Sequence, residues 1–330
     1  MKQRLEWLDI MKGFTIILVV LGHVLNSQNL FNHPVNIWLH YFHMPFFFLL
    51  SGFLAIHSLK QSLLSNIRKK IISLILPFIS CGLFYHLTMS NVSAFVSNVH
   101  HGGYWFLLSL FTCWILFLSV MKLLSFVSMH KFFIEIVALL SPFFLGNLLM
   151  KYLSEEMLNL TTFPFTFSYY RFFILGYFMG RVYQDKFFLE KLKLAQMRAI
   201  FTACSIVLFM LASLLILTQK VFITAIPTTV WQVVFCVTLF FILYKSDSFI
   251  RPYLSKLLCY FGRNSLAIYV FHSFFVYEFG FSSIVNLLPH SFQFLFAVVI
   301  TIIVLVGTLA VAEFFKNNKY LSLLFLGQKK

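Results

Sequence analysis

A chain of 330 residues that is 60% apolar and only 11% charged, with 45 Phe, cannot clothe a water-facing surface, which excludes a soluble globular enzyme. Ten apolar runs of roughly 20 residues with short connections consume nearly all of it, which also excludes a separate soluble domain. The net charge of +15 would suggest nucleic acid in a soluble protein; here it is read as loop charge at a membrane face, so no nucleic-acid partner is expected.

The apolar runs predict spans at roughly 9–28, 37–57, 71–89, 104–122, 132–150, 168–183, 199–218, 227–244, 264–281 and 292–315. The expected fold is all-α integral membrane: a single polytopic domain over 1–330, about ten transmembrane helices, and both N- and C-termini cytoplasmic. With the N-terminus inside, only Lys151, Lys220 and Arg171 of the 25 Lys and Arg fall at the far side, and this asymmetry sets the orientation. The first run is not expected to be a cleavable signal, because it carries Asp9, Lys12 and His23 and no small-residue cleavage pattern follows it. The stretch 250–262, IRPYLSKLLCYFG, reads as a short amphipathic segment at the cytoplasmic face.

Ionisable residues inside apolar runs are costly, so each has a partner or a task. In the first span, LDIMKGFTIILVVLGHVL, Lys12 and His23 are eleven residues apart, or three turns plus about 20°, and share a helix face. Asp9 lies within about 60° of that stripe. A rise of about 16 Å from Lys12 to His23 places Asp9 and Lys12 at the cytoplasmic interface and His23 near the midplane. The lysine can attract an anionic cosubstrate or simply snorkel; the histidine can move protons or simply bridge two helices.

The second span is entered through His40-Tyr41-Phe42-His43-Met44-Pro45. His40 and His43 at i, i+3 have no obvious third ligand, so no metal is expected. None of the five Cys forms a C-x-x-C pair, so neither a disulfide framework nor a zinc site is expected. Trp105 opens the fourth span, as a sugar-stacking ring or an interfacial belt residue. Arg171 is placed at the outer end of the sixth, to bind an acceptor, pair with Glu278 or anchor the interface. In the ninth span Tyr269 and His272 share a face at i, i+3, His272 lies about 12 Å in, again near the midplane, and Glu278 is nearer the outside.

Five segments, in this order, carry a resemblance: LDIMKGFTIILVVLGH (8–23), FHMPFFFLLSGFL (42–54), YWFLLSLF (104–111), RFFILGYFMGR (171–181) and FGRNSLAIYVFH (261–272). Together the chain resembles the acyltransferase 3 family of bacterial membrane acyltransferases, and within it the fucose 4-O-acetylase-like branch. The resemblance implies acyl transfer from a cytoplasmic acyl-CoA to a hydroxyl of a glycan, often one bound for the cell surface, at the bacterial cytoplasmic (inner) membrane. The family's first-span pattern is a basic residue, ten others, then a histidine regarded as catalytic. Lys12 and His23 match it, with Lys where Arg is commoner. The chain resembles stand-alone members in ending soon after its last span.

The expected function is thus membrane O-acyltransfer, with acetyl-CoA as acyl donor and a glycan or lipid-linked sugar as acceptor, amid membrane lipids. His23 is the expected general base, or the bearer of a transient acyl-imidazole, with Asp9 and Lys12 supporting it. Lys12 and Arg263, beside Asp9, would meet the CoA phosphates. His43, Trp105, Arg171, Tyr269, His272 and Glu278 are candidates for holding the acceptor. Ten helices with polar midplane residues also suit a transporter or flippase of lipid-linked glycan, though no internal repeat is seen. A third possibility is an assembly partner of a glycan synthase, with no chemistry of its own.

Overall fold

A computed structural model of the protein describes residues 5–88, 92–127, 132–184, 195–218, 227–244, 250–278, 285 and 288–328, and these form helices and turns with no strand among them. In chain order the helices are α1 (Glu6–Ser27), α2 (Pro34–His40), α3 (His43–Ala55), α4 (Leu63–Lys70) and α5 (Leu76–Thr88). They continue with α6 (Val92–Ser97), α7 (Trp105–Leu124), α8 (Phe132–Leu149), α9 (Glu155–Thr161), α10 (Phe163–Gln184) and α11 (Ala195–Leu217). The last are α12 (Thr228–Leu243), α13 (Pro252–Arg263), α14 (Ser265–Glu278), α15 (His290–Asn317) and α16 (Lys319–Leu326).

Among the described residues seven segments are long and apolar enough to cross a membrane: Glu6–Ser27, Pro34–Lys60, Leu63–Thr88, Trp105–Leu124, Phe132–Leu149, Ala199–Leu217 and Phe292–Asn317. The shorter apolar helices Thr228–Leu243 and Ser265–Val276, together with α10, occupy the three other stretches where spans are expected.

Three boundaries differ from expectation. The stretch 37–57 is two helices: short-range bonds from Tyr41 N–H to Trp38 and from Phe42 N–H to Leu39 close α2, and α3 restarts at His43. Pro45 explains the break, since it has no N–H and its ring opposes a helical carbonyl four residues back; in the first turn of α3 it is tolerated. Helix α10 begins at Phe163, not near 168, so Arg171 sits about 12 Å inside it and not at its end. The tail after the last span also folds: Asn318 caps α16 through Oδ1 to the N–H groups of Tyr320 and Leu321, and Gly327 ends it at φ 61°.

The chain groups into two compact units, one of Met1–Phe47 with Tyr183–Ala312, the other of Phe48–Val182 with Glu313–Lys330. In the first, α1 is the central element, with 72% of its apolar window buried. Helix α13 lies along the N-terminal half of α1. Gly13 faces the Leu258 carbonyl and Gly262 faces the Asp9 carbonyl so closely that a Cβ at either would overlap backbone. Ile10, Leu258 and Cys259 seal this contact, with Phe14, Ile17 and Ile250 packed on it. The expected amphipathic segment therefore docks through its glycine face and leaves Tyr253 and Tyr260 exposed. On α11, Ile206, Val207, Met210 and Leu214 form an exposed apolar face, as a lipid-facing helix requires.

In the second unit α3 and α10 cross by the same device. Gly52 meets the Phe173 carbonyl, Gly176 that of Leu49 and Gly180 that of Phe53. Glu135 of α8 accepts a hydrogen bond of 2.7 Å from the Tyr177 hydroxyl and pairs with Arg181, both on α10. Little of α8 is buried, and this network joins the close packing of Gly146 on Phe167 in fastening an otherwise lipid-facing helix.

Candidate active site

The site is built on α1, α13 and α14 of the first unit. Its N-terminal end is an ion pair: Arg263 Nε lies 3.6 Å from Asp9 Oδ2, with the carboxylate buried and the guanidinium half-exposed. Asp9 falls in the first turn of α1, where a negative charge complements the helix dipole. Arg263 is the last residue of α13, and the chain turns at Asn264, whose side-chain amide donates to the Tyr260 carbonyl at 2.9 Å. The Asn264 carbonyl then accepts from Ile268 N–H as α14 begins. The glycine contact fixes α13 on α1, and the Asn264 turn aims α14 back along it. Lys12, half-buried, stands one turn from Asp9 on α1.

Farther along, this geometry brings His23 and His272 together. Their ring centroids are 4.8 Å apart at 52°. His23 is half-buried, whereas His272 is buried. His272 Nδ1 lies 2.6 Å from the Tyr269 carbonyl oxygen. A carbonyl only accepts, so in the neutral ring Nδ1 carries the proton and Nε2 the lone pair. That Nε2 is buried with no hydrogen-bond partner among the described residues. Burying a good acceptor unpaired is costly, so this atom, beside a second imidazole, is a candidate to receive a proton donor. Tyr269 supplies the locking carbonyl, and its own ring is 5.8 Å from that of His272.

The other expected residues divide. His43 belongs to this unit but is bound locally: Nδ1 lies 2.6 Å from the Leu39 carbonyl and its ring meets His40 edge-on at 5.0 Å. Glu278 is the last residue of α14, and its side chain, with any pairing to Arg171, lies outside the described residues. Trp105 and Arg171 belong to the second unit. Trp105 stacks on Tyr169 at 5.5 Å and packs on Phe165 at 4.3 Å, while Tyr169 stacks on Phe48 at 5.0 Å. The Arg171 guanidinium sits over the rings of Phe172 and Phe143 at 5.1 and 5.6 Å. Among the described residues no group of three His, Cys, Asp or Glu is close enough to hold a metal.

Sequence reasoning passed over Glu135, although a carboxylate in the apolar run FFIEIVALL is the signal by which it could have been found. It also passed over Asn26, Asn36 and Gln232, whose single amides are inconspicuous until folding gathers them around one cavity.

A curated relative, nodulation protein NolL of Sinorhizobium fredii (strain NBRC 101917 / NGR234), is 34% identical over 118 residues, 30% of this chain and 32% of that protein. The match thus spans about a third of the relative's length. No solved structure matches. The family model for the acyltransferase domain matches residues 5–313, which takes in α1, α13 and α14 whole and does not separate the family's branches. The chain belongs to the acyltransferase 3 family of membrane proteins.

Proposed function

We propose that this protein is a multi-pass O-acyltransferase of the bacterial cytoplasmic membrane. It moves an acyl group, acetyl in the simplest case, from acyl-CoA to a hydroxyl of a surface glycan or its lipid-linked precursor. The observation that carries the reading is the His23–His272 pair, with its unpaired buried Nε2, on the same helices as the Asp9–Arg263 pair and Lys12.

In this reading the Tyr269 carbonyl holds His272, and His272 Nε2 receives the N–H of His23. A centroid separation of 4.8 Å brings that bond within reach of a small ring rotation. The other nitrogen of His23 is then the base. It takes the proton of the acceptor hydroxyl as the oxygen attacks the thioester carbonyl. The C–S bond breaks, the acyl group stays on the oxygen, and His23 returns the proton to the CoA thiolate. Two imidazolium rings at that separation would repel by about 3.5 kcal/mol at an effective dielectric near 20, so the pair carries one proton at a time. Lys12 and Arg263 offer cations to the phosphates of CoA at the cytoplasmic end, and Asp9 keeps Arg263 in place.

The test is transfer of label from radiolabelled acetyl-CoA to glycan by the purified protein, alongside His23→Ala at matched expression. The expected result is labelled glycan with the wild type and none with the variant. Undiminished labelling by His23→Ala would remove the mechanism. Movement of glycan across the bilayer without labelling would put a transporter in its place.

A further inference from the structure

A cavity of about 490 Å³ in the first unit is lined by Asn26, Phe31, Asn36, His40, Tyr41 and Gln232, among others, and none of its described lining residues is Asp, Glu, Lys or Arg. Asn26 is three residues beyond His23 on α1, about 4.5 Å of rise and 60° around the helix, so the cavity begins within a turn of the proposed base.

The polar groups are set by a local network. Asn36 is 2% exposed. Its Nδ2 donates to Asn26 Oδ1 at 2.7 Å and also faces the carbonyls of Phe31 and Leu30 at 3.2 and 3.3 Å. Three acceptors around one nitrogen fix which way this amide points. Its Oδ1 is left buried with no hydrogen-bond partner among the described residues, a prepared acceptor. Asn26 spends its own oxygen on Asn36, so its NH₂ is the group left to donate. His40 Nδ1 lies 2.7 Å from the Asn36 carbonyl, so the neutral ring presents Nε2 as an acceptor. Tyr41 adds a hydroxyl and Gln232 an amide, and the rings of Phe31 and Tyr41 supply flat apolar surface.

Alternating uncharged donors and acceptors beside aromatic faces match a pyranose ring, whose hydroxyls each donate and accept and whose C–H face is apolar. An anionic sugar would find no cation among the described lining residues to pair with. We infer that this cavity is the acceptor subsite and takes a neutral pyranose, in preference to a uronic acid or a sugar phosphate. The inference rests on the acyl-transfer reading above.

The test is saturation-transfer NMR on the full chain in lipid nanodiscs, with methyl glucoside, galactoside and mannoside against methyl glucuronide. At least one neutral glycoside is expected to bind about tenfold or more tighter than the glucuronide. Asn26→Asp keeps the oxygen that Asn36 needs and replaces the donor with a charge; it should weaken neutral binding about tenfold, the worth of one good hydrogen bond. Tyr41→Phe, a second variant that keeps the ring, should weaken it by a smaller factor. Equal or tighter glucuronide binding, no binding of any neutral glycoside, or wild-type binding by both cavity variants overturns the inference. Neutral-sugar binding that responds to the cavity variants but is accompanied by no acyl transfer leaves the cavity a sugar site and rejects the transferase reading instead.

Discussion

Replacing His272 by Phe separates the chemistry of the histidine pair from its packing. The site is buried, and Phe keeps a flat ring there while removing both nitrogens. The structural loss is one neutral hydrogen bond to the Tyr269 carbonyl, about 0.5–1.5 kcal/mol, so the variant should fold. The catalytic loss is larger. In the proposed mechanism, removing Nε2 takes away the acceptor that turns the half-buried His23 ring with its basic nitrogen toward the hydroxyl. Loss of an oriented base should cost about 10²–10⁴ in kcat, or roughly 3–5 kcal/mol of barrier. The assay is label transfer from acetyl-CoA with kcat and donor KM measured separately. The donor KM should stay within about twofold, because Lys12 and Arg263, the residues proposed to hold the donor, are untouched. His272→Gln, whose Oε1 can accept the same N–H, should recover at least about tenfold of the loss, which a purely structural role does not predict. A folded His272→Phe enzyme with kcat within about threefold of wild type, or a Gln variant no better than Phe, refutes the reasoning.

Lys12→Met should raise the donor KM about tenfold with a smaller effect on kcat, measured by the same transfer assay, since it removes a charge proposed to meet the donor phosphates and leaves the imidazoles in place. Gly262→Leu forces a side chain into the Asp9 carbonyl, so it should lower the melting temperature in detergent and abolish transfer together; a stable, active variant would contradict the close helix crossing. Acidification should destabilise the ends of the molecule outside the spans. Burial lowers His33, His100 and His101 below the ordinary 6.5, so the unfolded chain binds protons first as pH falls. Stability from these groups is then complete above about pH 6.5 and declines toward the lowered folded values. Thermal melts at about pH 7.5 and 5.5 should show the loss at the lower pH, and a gain there would reverse the sign.

The spans were legible because apolar runs of membrane length admit little besides a helix, and the position of His23 along α1 followed from helical rise alone. That His272 sits at a similar depth was legible too, but not that it meets His23. The meeting depends on Gly13 and Gly262, two residues whose lack of a side chain decides how α13 lies and so where α14 is aimed. The break between α2 and α3 was signalled by Pro45, yet the surrounding aromatics read as continuous span. Arg171 was placed at the end of its helix because the start of α10 was read five residues late, although Thr162, at φ 52°, ends α9 and Pro164 in the first turn of α10 was a start signal the apolar run concealed. The amide cluster around Asn36 depends on a contact ten residues apart in sequence, a spacing no helical or strand period reveals.

The burial of α1 has a consequence for biogenesis. This helix leaves the ribosome before all the others, yet α13 and α14, which cover its glycine and histidine face, are complete only at Glu278. At about 5–20 residues per second the intervening 250 or so residues take roughly 12–50 s to synthesise. Throughout that interval a segment bearing Asp9, Lys12 and His23 must be sheltered by the insertion machinery or by passing lipid headgroups. A ribosome that stalls before α13 would release a fragment in which the glycine and histidine face of α1 lacks this covering, a feature by which membrane quality control can recognise truncated chains.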